Sequence, residues 1–220
     1  MRLLILFALM TISILNANGQ NSFNPELKKQ LDSVFQLDQK YRGILSNGIS
    51  DSIKNDSIAK AFNIPTKNVI GSIWKLQNSI DSSNLVFVEA IIQKYGYTGK
   101  TLVGTETCKA AWDVIQHSPK IDKYVALIKI AADKKELPFK LYAMMFDRYL
   151  VGNKKEQIYG SQIVMVHLKN GKNDWYVWPI KNPGKVNRLR RKAGFEKSVE
   201  GNAKSLDVDY KIIRMCDIKL

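Results

Sequence analysis

The chain is short of several things, and each shortage narrows what it does. It has two cysteines, Cys108 and Cys216, and two histidines, His117 and His167. Neither cysteine stands in a CxxC or CxH arrangement, there is no HExxH, and no nucleophile-elbow glycine pattern surrounds a serine, so the familiar zinc and serine-hydrolase signatures are absent. No metal and no cofactor is expected. Acidic residues are also scarce, 20 against 34 lysines and arginines, for a net charge of +14. Beyond residue 15 no apolar run approaches the roughly 20 residues a bilayer-spanning helix needs.

The one long apolar run is at the start. Arg2 precedes an unbroken stretch over 3–10, continued by Ile12, Ile14 and Leu15, and Asn16-Ala17-Asn18-Gly19-Gln20 follows. A charged start, a short apolar centre and an Ala-x-Gly exit read as a secretory signal peptide over 1–20. The expectation is a secreted protein, periplasmic or extracellular, with no membrane span after cleavage. Losing Arg2 would leave 33 basic and 20 acidic residues, +13. An exported chain of this charge points to an anionic ligand or a protein partner and not to nucleic acid. The lysines are spread along the chain, which equally suits a solvated surface. In an oxidising compartment Cys108 and Cys216 would be able to close one disulfide worth about 4–5 kcal/mol in the loop-entropy model; two unrelated thiols are the favoured reading.

With 45% hydrophobic residues, 220 residues suffice for one ample domain. Asn24-Pro25 is a helix start, and Leu27, Leu31, Val34, Phe35 and Leu37 mark one apolar face. Asp38 and Arg42, four apart near the end of that helix, would pair. Residues 21–82 read as this helix followed by an extended polar connection with one or two short helices. Within 83–200, Asp81-Ser82-Ser83-Asn84 reads as a new helix start, and Ser118-Pro119 and Pro138 punctuate three further helices, which short connections would set antiparallel. Gly99-Lys100-Thr101 lacks the first glycine of a phosphate loop, since Lys94 stands there, so it reads as a turn. From Gln157 the period changes to that of strands: residues 158–168 are rich in β-branched side chains, Asn170-Gly171 is a hairpin turn, and 175–180 return. Asn182-Pro183 caps a last helix closed by Gly194, residues 198–207 read as polar loop, and 201–220 as a tail with a final strand near 210–215. The fold class expected is α+β, predominantly helical, with an antiparallel helical layer on a small hairpin or short antiparallel sheet.

Several motifs occur in order: Asp38-Gln39-x-x-Arg42, Tyr95-Gly96-Tyr97 with Val103-Gly104, Gln116-His117, Asp147-Arg148, Gln157-x-Tyr159-Gly160-x-Gln162, Pro179-Ile180, and Val186-Asn187-x-x-Arg190 with Gly194-Phe195. Together they resemble an uncharacterised bacterial family, domain-of-unknown-function family 6624, over about residues 27–200. That family reads Gly-Trp-Pro where this chain has Gly96-Tyr97-Thr98, His-Ala-Asp where it has His117-Ser118-Pro119, and threonine at Ser161. The lost aspartate weakens any proposal built on a His–Asp pair there. The resemblance implies a site location and no activity.

The densest polar stretch, 145–162, joins a helix end to a strand. Two readings of it differ in class. In the first, the protein is an exported binding or interaction module, with Arg148, Gln157, Tyr159, Gln162 and Arg190 gripping a polar or anionic ligand at the helix–hairpin seam. In the second it is a hydrolase, with His117 as general acid/base, Asp147 orienting it and arginine supporting a developing negative charge. The same groups would also serve as a network tying the helices to the hairpin. Whether those side chains converge on one open cavity decides among the three.

Overall fold

A computed structural model describes residues 22–46 and 52–219; the signal-peptide segment lies outside the described residues. The protein is predominantly helical, with one small antiparallel sheet. Helix α1 (Pro25–Gln39) starts where Asn24 accepts a hydrogen bond from the Leu27 amide and Pro25 sits at the first turn, an N-cap and proline combination that satisfies an otherwise orphaned donor. It is followed by α2 (Arg42–Ser46), α3 (Ser52–Phe62) and the 27-residue α4 (Val69–Tyr95).

The continuity of α4 corrects the expectation of an extended connection ending at residue 82. Its cap is Asn68, which accepts from the Gly71 amide, and Asp81-Ser82-Ser83-Asn84 lies mid-helix. Ser82 and Ser83 donate to the carbonyls of Asn78 and Ser79 one turn back, which keeps short polar side chains inside a helix. The buried face of α4 is apolar at both ends and polar between: Val69 and Ile73, then Gln77 and Asn84, then Leu85, Val88 and Ile91.

That change of polarity separates two apolar cores. Tyr41, Ala59, Val69 and Ile73 cluster around α2, α3 and the start of α4. The larger core collects Leu31, Val88, Val103, Ile115, Ile128 and Met145 from α1, α4, α5 (Lys100–Val103), α6 (Ala110–Gln116), α7 (Ile121–Asp133) and α8 (Phe139–Gly152). Full burial of side chains this size contributes about 1.5–3 kcal/mol each. The α5 amides face Glu136: the Thr101 amide and hydroxyl both donate to its carboxylate.

Strands β1 (Ile163–His167) and β2 (Asn173–Val177) pair antiparallel, Ile163 opposite Val177 and His167 opposite Asn173. They are shorter than expected because 158–162 is an irregular loop, joined to the far side of the hairpin by a bridge from Gln157 to Ile180. A 3-10 turn at Pro183–Lys185 leads into α9 (Val186–Ala193). Residues 198–207 are not simply loop: Ser198 caps α10 (Val199–Lys204). The expected final strand is absent; 208–214 is irregular, and only Ile218 pairs with Leu168. Cys108 is buried and Cys216 exposed, both as free thiols. No helix among the described residues is long and apolar enough to cross a membrane.

Candidate functional site

At the seam, backbone groups claim the polar side chains. Asp147, fully buried, accepts hydrogen bonds from the amides of Ile158, Tyr159 and Ser161 at 2.8–3.2 Å. Burial pushes its carboxyl up, and the three amides only partly offset this. Gln157 donates to the carbonyls of Gln162 and Trp178 and accepts from the Gln162 amide. Arg190 donates to the carbonyls of Lys197, Tyr159 and Gly160, with its guanidinium 4.4 Å above the Phe195 ring. The Tyr159 ring stacks on Phe195 at 6.2 Å, and the Gln162 amide reaches the Met144 carbonyl and the Ser161 hydroxyl. These groups fold the 158–161 loop, whose amides and carbonyls no strand partner satisfies. Gly160 belongs to the same device: its φ is +64°, and a Cβ there would lie 2.7 Å from Val199. A cavity of about 270 Å³ adjoins this knot, but of the expected ligand-binding set only Arg190 lines it.

His117 is elsewhere. It ends α6, and its Nδ1 lies 3.2 Å from Oδ1 of Asp38 at the end of α1. The carboxylate that orients the ring is therefore Asp38 and not Asp147, whose oxygens are occupied by amides. The Asp38 side chain is 1% exposed and the His117 side chain 18% exposed, so the acid is sealed behind an imidazole that reaches the surface. With a carboxylate as acceptor, Nδ1 is the donor of this pair, and in a neutral ring Nε2 would be the nitrogen without a proton.

Around this dyad are groups from five helices. Arg42 approaches Asp38 at 3.4 Å and forms a closer ion pair, 2.6 Å, with Asp81 of α4. Gln39 donates to Asp38 at 2.7 Å. Gln77 donates to the Asp38 carbonyl and to Asp81 and accepts from the Tyr41 amide, joining α4 to the backbone where α1 ends. Burial pushes the Asp38 carboxyl up, but its hydrogen bond to His117 and the charges of His117 and Arg42 outweigh that and hold it below its ordinary value.

Asp113, one turn before His117, is the opposite case. It is 8% exposed, its Oδ1 accepts only a long 3.4 Å bond from Gln116, and its Oδ2 is buried with no partner. Burial, then the negative charge of Asp38, raise its pKa to about 6, with His117 and Lys109 pulling the other way. Two carboxylates beside one imidazole thus sit in environments that drive their pKa values apart. Arg148 completes the set: its Nη1 donates to the Gln116 carbonyl at 2.9 Å, immediately before His117.

The geometry thus brings together Asp38, Arg42, His117 and Arg148 from the sequence expectations and leaves Asp147, Gln157, Tyr159, Gln162 and Arg190 in the seam knot. It adds Gln77, Asp81 and Asp113. Asp113 had a readable signal, a lone acid within Ala110-Ala-Trp-Asp-Val-Ile115. Asp81 was masked by its likeness to a helix cap. His167 pairs with Asn173 at 2.8 Å on the exposed hairpin. Among the described residues no group of three or more His, Cys, Asp or Glu is arranged to hold a metal ion.

No curated protein matches the chain, and no solved structure matches it. A family model does, over residues 38–212. That span opens on Asp38 and contains every side chain of the dyad's surroundings and of the seam knot. The chain belongs to the Family of unknown function (DUF6624).

Proposed function

We propose that the protein is a hydrolytic enzyme in which His117 moves the proton, with the centre at the meeting of α1, α4, α6 and α8 and not at the hairpin seam. The observation that carries the reading is the Asp38–His117 pair: a buried carboxylate accepting from Nδ1 of a partly exposed imidazole. Asp38 fixes the tautomer and steadies the imidazolium formed when Nε2 takes a proton from an attacking water. Arg42 and Arg148 supply positive charge where negative charge would develop. The apolar leader of residues 3–15 is in keeping with an exported enzyme.

A panel of chromogenic carboxylate esters, phosphate esters and anilides, assayed from pH 5 to 9, tests the reading. At least one should turn over, and His117→Ala should lower the rate by about 10²–10⁴, with Asp38→Asn lowering it less. Rates unchanged in His117→Ala, or no turnover of any member by the unaltered protein, would refute it.

A further inference from the structure

Arg148 is half-buried, yet among the described residues it has no acidic partner; its one hydrogen bond goes to the Gln116 carbonyl. A guanidinium carries five N–H donors, and desolvating one without a counter-charge is costly. Of the nearby carboxylates, Asp113 makes no hydrogen bond to Arg148, and the other three are engaged otherwise. Asp38 holds His117, Gln39 and Arg42; Asp81 holds Arg42 and Gln77; Asp147 holds three backbone amides. Among the described residues the buried side-chain atoms that lack partners belong to Asn55, Thr98 and Asp113, so the uncommitted nitrogens of Arg148 keep some contact with solvent. Arg42 is close enough for its like charge to act on Arg148. Arg42 is already paired with Asp81 and Asp38, so the guanidinium left with free donors beside the imidazole is that of Arg148, and an oxyanion would take them up.

We propose that Arg148 is an anion clamp that binds the carboxylate or phosphate group of the molecule presented to His117. This names a substrate class, oxyanion-bearing molecules, for the site, and rests on the acid/base reading only for what the held molecule then undergoes. The planar fork of arginine suits two parallel hydrogen bonds to either oxyanion. The tether to the Gln116 carbonyl places that fork one residue from the base.

The test is titration with inorganic phosphate and, separately, with acetate at constant ionic strength, which removes the general effect of the +14 charge. The readouts are the Arg148 Nε–Hε resonance, assigned by its loss in Arg148→Gln, and the melting temperature. A saturable response to at least one ion is expected, unchanged in Arg191→Gln, an exposed arginine, and weakened at least tenfold in Arg148→Gln. A response to phosphate alone points to a phosphate-bearing substrate, and one to acetate alone to a carboxylate. Arg148→Lys, which keeps the charge and loses the fork, should bind at least threefold more weakly and serves if Arg148→Gln does not fold. No saturable response to either ion, or equal binding by the Arg148 variants, overturns the proposal. Repeating the titration on His117→Ala keeps the two claims apart. Anion binding that persists there while turnover proves independent of His117 sinks only the acid/base reading; turnover that depends on His117 without saturable binding sinks only the clamp.

Discussion

Asp113→Asn should stabilise the protein, and by an amount that depends on pH in a defined way. The native carboxyl has a pKa of about 6 against an ordinary 3.8. Below pH 3.8 the group is protonated in both folded and unfolded chains and contributes no difference. Between pH 3.8 and 6 the unfolded chain releases this proton more readily than the native one, so stability falls as pH rises. Above pH 6 the full loss is present: a difference of about two pH units corresponds to on the order of 3 kcal/mol. Asparagine has the same shape and never ionises, and its oxygen can keep the bond from Gln116. The orphaned position of Oδ2 would hold an unpaired amide instead, so that cost nearly cancels. Urea unfolding of the two proteins at pH 4, 6 and 8 should give equal stabilities at pH 4 and an advantage of about 1–3 kcal/mol for Asp113→Asn at pH 8. A variant less stable at pH 8, or an advantage that does not change with pH, would refute the picture of a desolvated acid held beside Asp38.

Asp147→Ala would leave the partly buried amides of Ile158, Tyr159 and Ser161 without their acceptor; a loss of about 3 kcal/mol is expected, read by chemical denaturation. Gly160→Ala combines a φ of +64° with a Cβ 2.7 Å from Val199 and 2.9 Å from Ile180, so about 2–3 kcal/mol of destabilisation should follow. Equal melting temperatures for Gly160→Ala and the unaltered protein would show that the loop can refold around it. Gln77→Ala removes the side chain that satisfies the Tyr41 amide and the Asp38 carbonyl; it should cost about 2–4 kcal/mol and broaden the His117 ring resonances as Asp38 loses its footing. Sharp, unshifted ring signals would mean Asp38 is held without Gln77.

The sequence by itself determined the helix start at Asn24-Pro25, the breaks at Ser118-Pro119 and before Pro138, and the hairpin around Asn170-Gly171. Each rests on local chemistry: a side chain that caps, a ring that cannot donate, a glycine that turns. Local chemistry also misled where it admits two outcomes. Asp81-Ser-Ser-Asn84 has the composition of a cap, yet those residues are held mid-helix because Arg42 and the backbone of α1 give Asp81 and Asn84 partners inside the fold. The residues 198–207 looked like loop because a helix of six residues shows too little of its period to read. The assembly of the candidate site was decided only by the tertiary structure. Asp38 and His117 are 79 residues apart in the chain, and no spacing rule couples them. The polar stretch of 145–162 is legible in sequence, but its purpose is not. Only the packing of a strandless loop against α8 and α9 shows Asp147, Gln157 and Arg190 holding backbone groups in place. The Asp38–His117 pair lies where the end of α1 meets α4 and α6, because there two apolar cores abut and apolar contact gives way to paired polar groups.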